Sequence, residues 1–270
     1  MKPKIKTILK TLFLISIVLT MAIFWYNQGK LYLGSASCPA GSNIALIKIQ
    51  GEIVTYSIES SYLEEELDLA SSEEIVAYID VAEEDDNIKA IIVEIDSYGG
   101  YPVASEEIMD ALRRTTKPTV AVIREGAASG GYLIASGANV IFASEMSDVG
   151  GIGVTASYLD YSEQNEYEGI IYQQLSSGKF KNTGDPDKEL TEEERELFMR
   201  DVMKLHDIFV ENIATNRNID IEIVEALADG STMLGQDAKE SGLIDEIGSV
   251  YDAQEWLRDE LGIEIEVCVY

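Results

Sequence analysis

The chain has 270 residues, 46% of them hydrophobic, enough to bury the core of one domain or at most two small ones. Its formal net charge is −29, and because every charged residue before position 31 is a lysine, of which there are five, the remainder carries −34. A surface this acidic repels nucleic-acid phosphates and anionic lipid headgroups, which excludes nucleic acid as a partner class.

Ile8 to Tyr26 is almost wholly apolar beyond Lys10 and matches the thickness of a bilayer core at helical rise. It reads as one transmembrane helix, and a cleaved signal peptide is the alternative. Lys2, Lys4, Lys6 and Lys10 cluster at its start, only Lys30 follows closely, and Trp25 and Tyr26 mark the far end. The positive-inside bias therefore predicts a cytoplasmic N-terminus with the remaining chain outside the cell membrane. Residues 1–30 form this stub and anchor, 31–43 a small, polar linker, and 44–270 the domain. Cys38 and Cys268 are the only cysteines and make no spacing motif, so both are expected to be unpaired. The sequence calls for neither metal nor cofactor.

Within the domain, Ile44–Ile49 and Ile53–Tyr56 are predicted strands, followed by a helix over Ser71–Asp85 with Ser72 as its cap. A buried strand over Ile88–Ile95 ends in Asp96-Ser97-Tyr98-Gly99-Gly100, and Val103–Leu112 has helical periodicity. The strand Pro118–Ile123 leads through a small-residue turn bearing Ser129 into a buried helix after Gly131, and Val140–Ala143 is another strand. Ile170–Leu175 reads as an apolar strand, and Thr191–Ile213 as a long helix with Phe198, Val202, Leu205 and Phe209 on its apolar stripe. Strands alternating with helices predict an α/β fold with a parallel sheet, whose functional loops gather at the carboxyl ends of strands.

Two of those ends carry candidate chemistry. A serine where a strand feeds a helix N-terminus faces free backbone N–H groups, and Gly99-Gly100 lets a second stretch of backbone approach closely. Isolated, Ser129-Gly130-Gly131 is equally a turn with a helix cap. A nucleophile needs a base, and the one histidine, His206, falls on the flank of the long helix, where a satisfied or solvent-facing role is expected. The remaining candidates are Lys179 and Lys181 in a glycine-containing loop. A lysine accepts a proton only when neutral, as burial among apolar groups allows, and on spacing alone either one is equally a surface lysine.

These segments together resemble the signal peptide peptidase A family, membrane-anchored Ser-Lys peptidases of the Clp protease and crotonase fold group, from roughly Ile44 to Gly248. Ala127-Ala128-Ser129-Gly130-Gly131-Tyr132 matches the nucleophile segment, and Ser177-Gly178-Lys179-Phe180-Lys181 with Asp185-Pro186 matches the lysine loop. The resemblance implies Ser129 as nucleophile, Lys181 as general base with Lys179 as fallback, and the amides of Gly100 and Gly130 as oxyanion hole. It implies a homo-oligomeric ring, with serine and lysine drawn from neighbouring protomers, that degrades apolar peptides such as remnant signal peptides. Alternatives are a related membrane protease for a stomatin-like partner and an inactive peptide-binding scaffold; an acyl-CoA enzyme shares the fold group but not the Ser-Lys pair. Two positions depart from the pattern. Tyr98 replaces a proline, which is expected to loosen the glycine turn. Gly151 replaces a serine that orients the lysine, leaving Thr155, Ser157 or a water to do so.

Overall fold

A computed structural model describes residues 16–17, 19–21, 38–57 and 68–270. The predicted span Ile8–Tyr26 falls almost wholly outside them, and among the described residues no helix is long and apolar enough to cross a membrane.

The domain is built on an eight-stranded sheet. Strands β1 (Ile44–Gln50), β4 (Ala90–Ser97), β5 (Thr119–Ala128) and β6 (Val140–Ala143) run parallel at its centre. β9 (Glu246–Ile247) closes one edge and β10 (Val267–Val269) the other, giving the order β10-β1-β4-β5-β6-β9. β7 (Asp148–Gly150) continues beside the end of β5, and β8 (Thr232–Leu234) pairs antiparallel with it. β2 (Glu52–Val54) and β3 (Leu69–Ser71) form a separate parallel pair.

Side-chain alternation explains why the sheet is covered on both faces. Ala45, Ile47, Ile49, Ile91, Val93 and Ile95 point to one face, while Ile44, Leu46, Ile92, Val120 and Val122 point to the other. The first face is packed by α1 (Ser72–Glu84), α2 (Pro102–Arg114), α3 (Gly130–Ser136) and the end of α5 (Glu192–Arg217). The second is packed by α8 (Val250–Leu261) through Ala253 and Leu257, with Trp256 edge-on to Phe142. A strand buried on both faces has no polar side to show, hence the near-continuous Ile and Val of β4. The short helices α4 (Ser162–Glu168), α6 (Ile221–Leu227) and α7 (Gly235–Glu240) complete the fold.

Several expectations are corrected. Cys38 and Cys268 are not free but joined in a disulfide, with a Cα–Cα distance of 5.1 Å. β10 pairs with β1, so the fold brings the two ends of the domain side by side, a contact that a sequence separation of 230 conceals. Helix α1 is capped at Ser71 and not Ser72, whose hydroxyl instead donates to Glu107 Oε2 at 2.5 Å. Ile170–Leu175 forms no strand: it pairs with no described strand and leaves Ile171 78% and Leu175 98% exposed. In α5, Phe209, Val210 and Ile213 are buried while Met199, Met203, Leu205 and Ile208 stay exposed. Only the C-terminal half of that helix reaches the core. The preceding segment, from about residue 155, is likewise mostly exposed.

Candidate active site

β5 is longer than its apolar run predicts. Its pairing with β4 shifts register between Ile95 and Ser97, after which Ser97 faces Ala127, and the strand continues to Ala128. Arg124–Gly126 takes up the extra length, and β7 supports the extension from its other side, with Ala128 opposite Gly150. Ser129 follows immediately, at φ 51° and ψ −124°, one of two non-glycine residues with positive φ among those described. Such a conformation costs about 1–3 kcal/mol and persists only where the surroundings impose it. Here Ser129 N donates to Gly150 O at 2.9 Å, and Ser129 O accepts from Leu133 N at 2.9 Å, opening α3.

The loop after β4 is pressed against this turn. A Cβ built on Gly99 would lie 2.9 Å from both Ser129 Cβ and Gly130 N, and one on Gly130 would lie 2.2 Å from Ser105 Oγ and 3.4 Å from Gly100 N. The amides of Gly100 and Gly130 are therefore close neighbours of Ser129. Neither donates a hydrogen bond to a described protein group: the neighbouring bonds are made by Ile53 N to Gly99 O and Tyr101 N to Ile53 O, and Gly130 opens a helix. Two free N–H groups beside an unbonded serine hydroxyl can accept negative charge that develops on an oxygen.

Ser129 and Gly130 lie on the wall of a cleft of about 240 Å³, whose apolar lining comes from Val103, Leu133, Val154 and, on α5, Leu205, Ile208 and Phe209. The α5 contribution was not legible in the sequence, since those positions look like an ordinary core stripe. The close approach of Ser105 gives a direct test. Gly130→Ala is expected to destabilise the fold by about 1–3 kcal/mol through overpacking, with partial recovery in Gly130→Ala/Ser105→Ala. An unchanged denaturant midpoint in the single variant would refute the contact.

Neither candidate lysine lines this cleft. Lys181 is on an exposed turn and makes no ion pair among the described residues. Lys179 pairs with Glu193 at 2.5 Å and lies 5.1 Å above the Phe180 ring. His206 is away from the cleft too: its Nε2 is 3.1 Å from Ala228 O, as expected for a satisfied histidine.

The two departures acquire physical meaning. Tyr98 does not leave its turn loose. Its hydroxyl donates to Asp148 Oδ2 at 3.2 Å, and its ring lies over Gly126, where a Cβ would meet Cζ at 2.9 Å. It ties the glycine loop to both β5 and β7, and desolvation, then the Asp148 carboxylate, push its phenol above the ordinary range. Gly151 has φ +57°, and a Cβ there would lie 3.0 Å from Ala128 Cβ and 3.2 Å from Ser129 N. Of the compensating hydroxyls, Thr155 lines the Ser129 cleft, whereas Ser157 faces a separate hollow with Tyr158 and Phe198.

Fold and site together define a class: a Clp-type α/β domain with a strained serine where a central strand meets a buried helix. The structure superposes on a ClpP1 mutant from Listeria monocytogenes with a TM-score of 0.52 at 17% identity, covering 77% of this chain and 92% of that one, which is a likeness of fold. The sequence profile of peptidase family S49 matches residues 111–264, more than half of the chain, and that of Clp protease matches 51–148. The chain belongs to peptidase family S49. It is 37% identical over 181 residues to the Enterococcus faecium protein that carries the name signal peptide peptidase SppA, covering 66% of this chain and 53% of that one. It is 32% identical over 182 residues to the chloroplastic serine protease SPPA of Arabidopsis thaliana (66% and 27% covered) and 28% identical over 215 residues to protease 4 of Haemophilus influenzae (78% and 34%). The chain thus spans about half or less of the length of these relatives.

Proposed function

We propose that this protein is a serine endopeptidase with Ser129 as nucleophile and Lys181 as general base, acting on apolar peptides such as remnant signal peptides. The observation that carries the reading is the strained Ser129 turn, with the unbonded amides of Gly100 and Gly130 beside it on the wall of an apolar cleft. Ser129 Oγ attacks the scissile carbonyl carbon as its proton passes to neutral Lys181 Nζ. The Gly100 and Gly130 amides hold the oxyanion. Collapse expels the amine, which takes the proton back from the Lys181 ammonium, and a water deprotonated by the same lysine hydrolyses the acyl-enzyme.

Lys181 is favoured over Lys179 because the Lys179 amine is engaged by Glu193, whereas Lys181 makes no ion pair among the described residues. The absence of a lysine from the cleft, and the exposed apolar side chains around residues 158–175, support delivery of Lys181 by a neighbouring copy in a homo-oligomer. Covering that surface would also take the lysine out of water, the condition under which an ammonium gives up its proton. The Cys38–Cys268 bridge supports an extracytoplasmic domain, since such bonds persist in oxidising compartments. An outward-facing domain tethered by the Ile8–Tyr26 helix would lie beside the bilayer in which apolar remnants accumulate.

A serine-reactive fluorophosphonate tests the reading. It is expected to label one site, located by peptide mass to Ser129, and to block hydrolysis of an apolar fluorogenic peptide. An assembled protein that neither reacts nor turns over peptide would instead be the binding scaffold, for which the missing hydroxyl at Gly151 is the supporting observation. Turnover of a single stomatin-like membrane protein without short apolar peptides would point to the narrower protease.

A further inference from the structure

The segment that carries Lys181 has almost none of the support that positions Ser129. Residues 169–191 hold no helix or strand, and the lysine turn closes on three backbone bonds: Lys181 N to Gly178 O at 3.1 Å, Thr183 N to Phe180 O at 3.4 Å and Asp185 N to Asn182 O at 3.2 Å. A base on such a turn would sample many positions unless something outside the sheet held it.

Two carboxylates do so. Asp185 Oδ2 accepts from Tyr172 Oη at 2.8 Å, that hydroxyl accepts from Asn182 Nδ2 at 2.9 Å, and Asp185 Oδ1 accepts from Asp187 N at 3.0 Å. Asn182 directly follows Lys181, so the network grips the chain one residue from the base. Glu194, 4% exposed, is the only charged residue among the buried ones described. Both its oxygens accept from Lys188 Nζ, at 2.6 and 2.8 Å, and Oε2 also accepts from Thr191 N at 3.0 Å, which fixes the end of the loop to the first turn of α5. The hydrogen bond from Lys188, and then that from the Thr191 amide, hold the Glu194 carboxyl at about 2, so at neutral pH it is a carboxylate and keeps both oxygens as acceptors. Between the two carboxylates, Pro186 O accepts from Tyr161 N at 2.7 Å, and Gly184 packs on the ring of Phe198, itself stacked on Tyr158.

We propose that Asp185 and Glu194 are positioning residues for Lys181, holding its turn in a fixed shape on an exposed segment so that the amine arrives at Ser129 already oriented. The inference rests on Lys181 being the base. It gives the Asp185-Pro186 pair, so far only a sequence match, a physical role: the carboxylate gathers Tyr172, Asn182 and the Asp187 amide around one point, and the proline carbonyl ties that point to Tyr161. A misplacement of about 1 Å at a reacting group can cost roughly 100-fold in rate, so a loosened turn would be felt in kcat.

The test is a double-mutant cycle in the full-length chain, assayed with an activated ester of an apolar peptide so that weak turnover remains measurable. Asp185→Ala and Glu194→Ala are each expected to lower kcat at least tenfold with KM within about twofold, because the Ser129 cleft is built from other elements. Asp185→Asn, which keeps an acceptor oxygen, is expected to recover part of the loss, and hydrogen exchange over residues 178–188 is expected to rise in both alanine variants. In a Lys181→Ala background neither alanine substitution should lower kcat further. Wild-type kcat in both variants, or the same fold-loss with and without Lys181, would overturn the positioning role. Full activity of Lys181→Ala by itself would instead show that the base has been misassigned.

Discussion

Ser129→Ala is expected to lose peptidase activity by about 10⁴–10⁶-fold while keeping the fold, the range found when a catalytic serine is removed and only binding and oxyanion stabilisation remain. Ala at φ 51° is strained as Ser is, so the turn is retained, and circular dichroism and the unfolding midpoint should match the parent. Lys181→Ala should lose a comparable amount. Lys181→Arg should be equally inactive despite its charge, because a guanidinium does not give up its proton in this range. Lys179→Ala should stay within about threefold, since its exposed pairing with Glu193 adds little. The reverse pattern, with Lys179→Ala inactive and Lys181→Ala active, would move the base by two residues. Full activity in both lysine variants alongside an inactive Ser129→Ala would end the Ser-Lys mechanism. If serine and lysine come from different copies, co-assembled Ser129→Ala and Lys181→Ala chains should regain some activity, because certain junctions receive one intact residue of each kind.

Reduction of the Cys38–Cys268 bond is the second large effect. The bridge closes a loop with a sequence separation of 230, and the chain-entropy relation puts its restriction of the unfolded state at about 5 kcal/mol as an upper value. That is a substantial part of the roughly 5–15 kcal/mol that stabilises a typical domain. Thermal unfolding with and without reductant, and of a Cys38→Ser/Cys268→Ser chain, should show the midpoint falling by up to roughly 10–20 °C at 2–4 °C per kcal/mol. The first effect is expected at β10, which is three residues long and held otherwise by its pairing with β1, by Asn43 bonds to Glu264 and Glu266, and by Tyr270 against Tyr78. A midpoint insensitive to reductant would show that these contacts suffice without the bridge.

Whatever depends on local pattern could be read directly. The alternation of β4 and the helical stripe of α2 follow from side-chain direction alone, which is why an α/β fold with a parallel sheet was predictable. The Ser129 turn was legible for a related reason: small residues flanked by an apolar strand and an apolar helix have few other places to go. The lysine loop came into view only through a matched motif, because nothing in one lysine's surroundings along the chain distinguishes Lys181 from Lys179.

Tertiary structure decided the rest, wherever a residue's partner lies far away in sequence. Ile170–Leu175 has strand composition but finds no described strand to pair with, and backbone pairing, unlike composition, is a property of two segments. Tyr98 replaces a proline and yet braces its turn, because Asp148 and Gly126 are brought beneath it by the register of β5 and β7. Cys38 and Cys268 bond because β10 returns to β1. The sequence by itself determined the layered α/β fold and the strand end on which Ser129 would lie, since both arise from periodicity and local backbone preference. Only the tertiary structure decided which half of α5 walls the Ser129 cleft and that the two cysteines meet, since each is a distance between segments that no local pattern encodes.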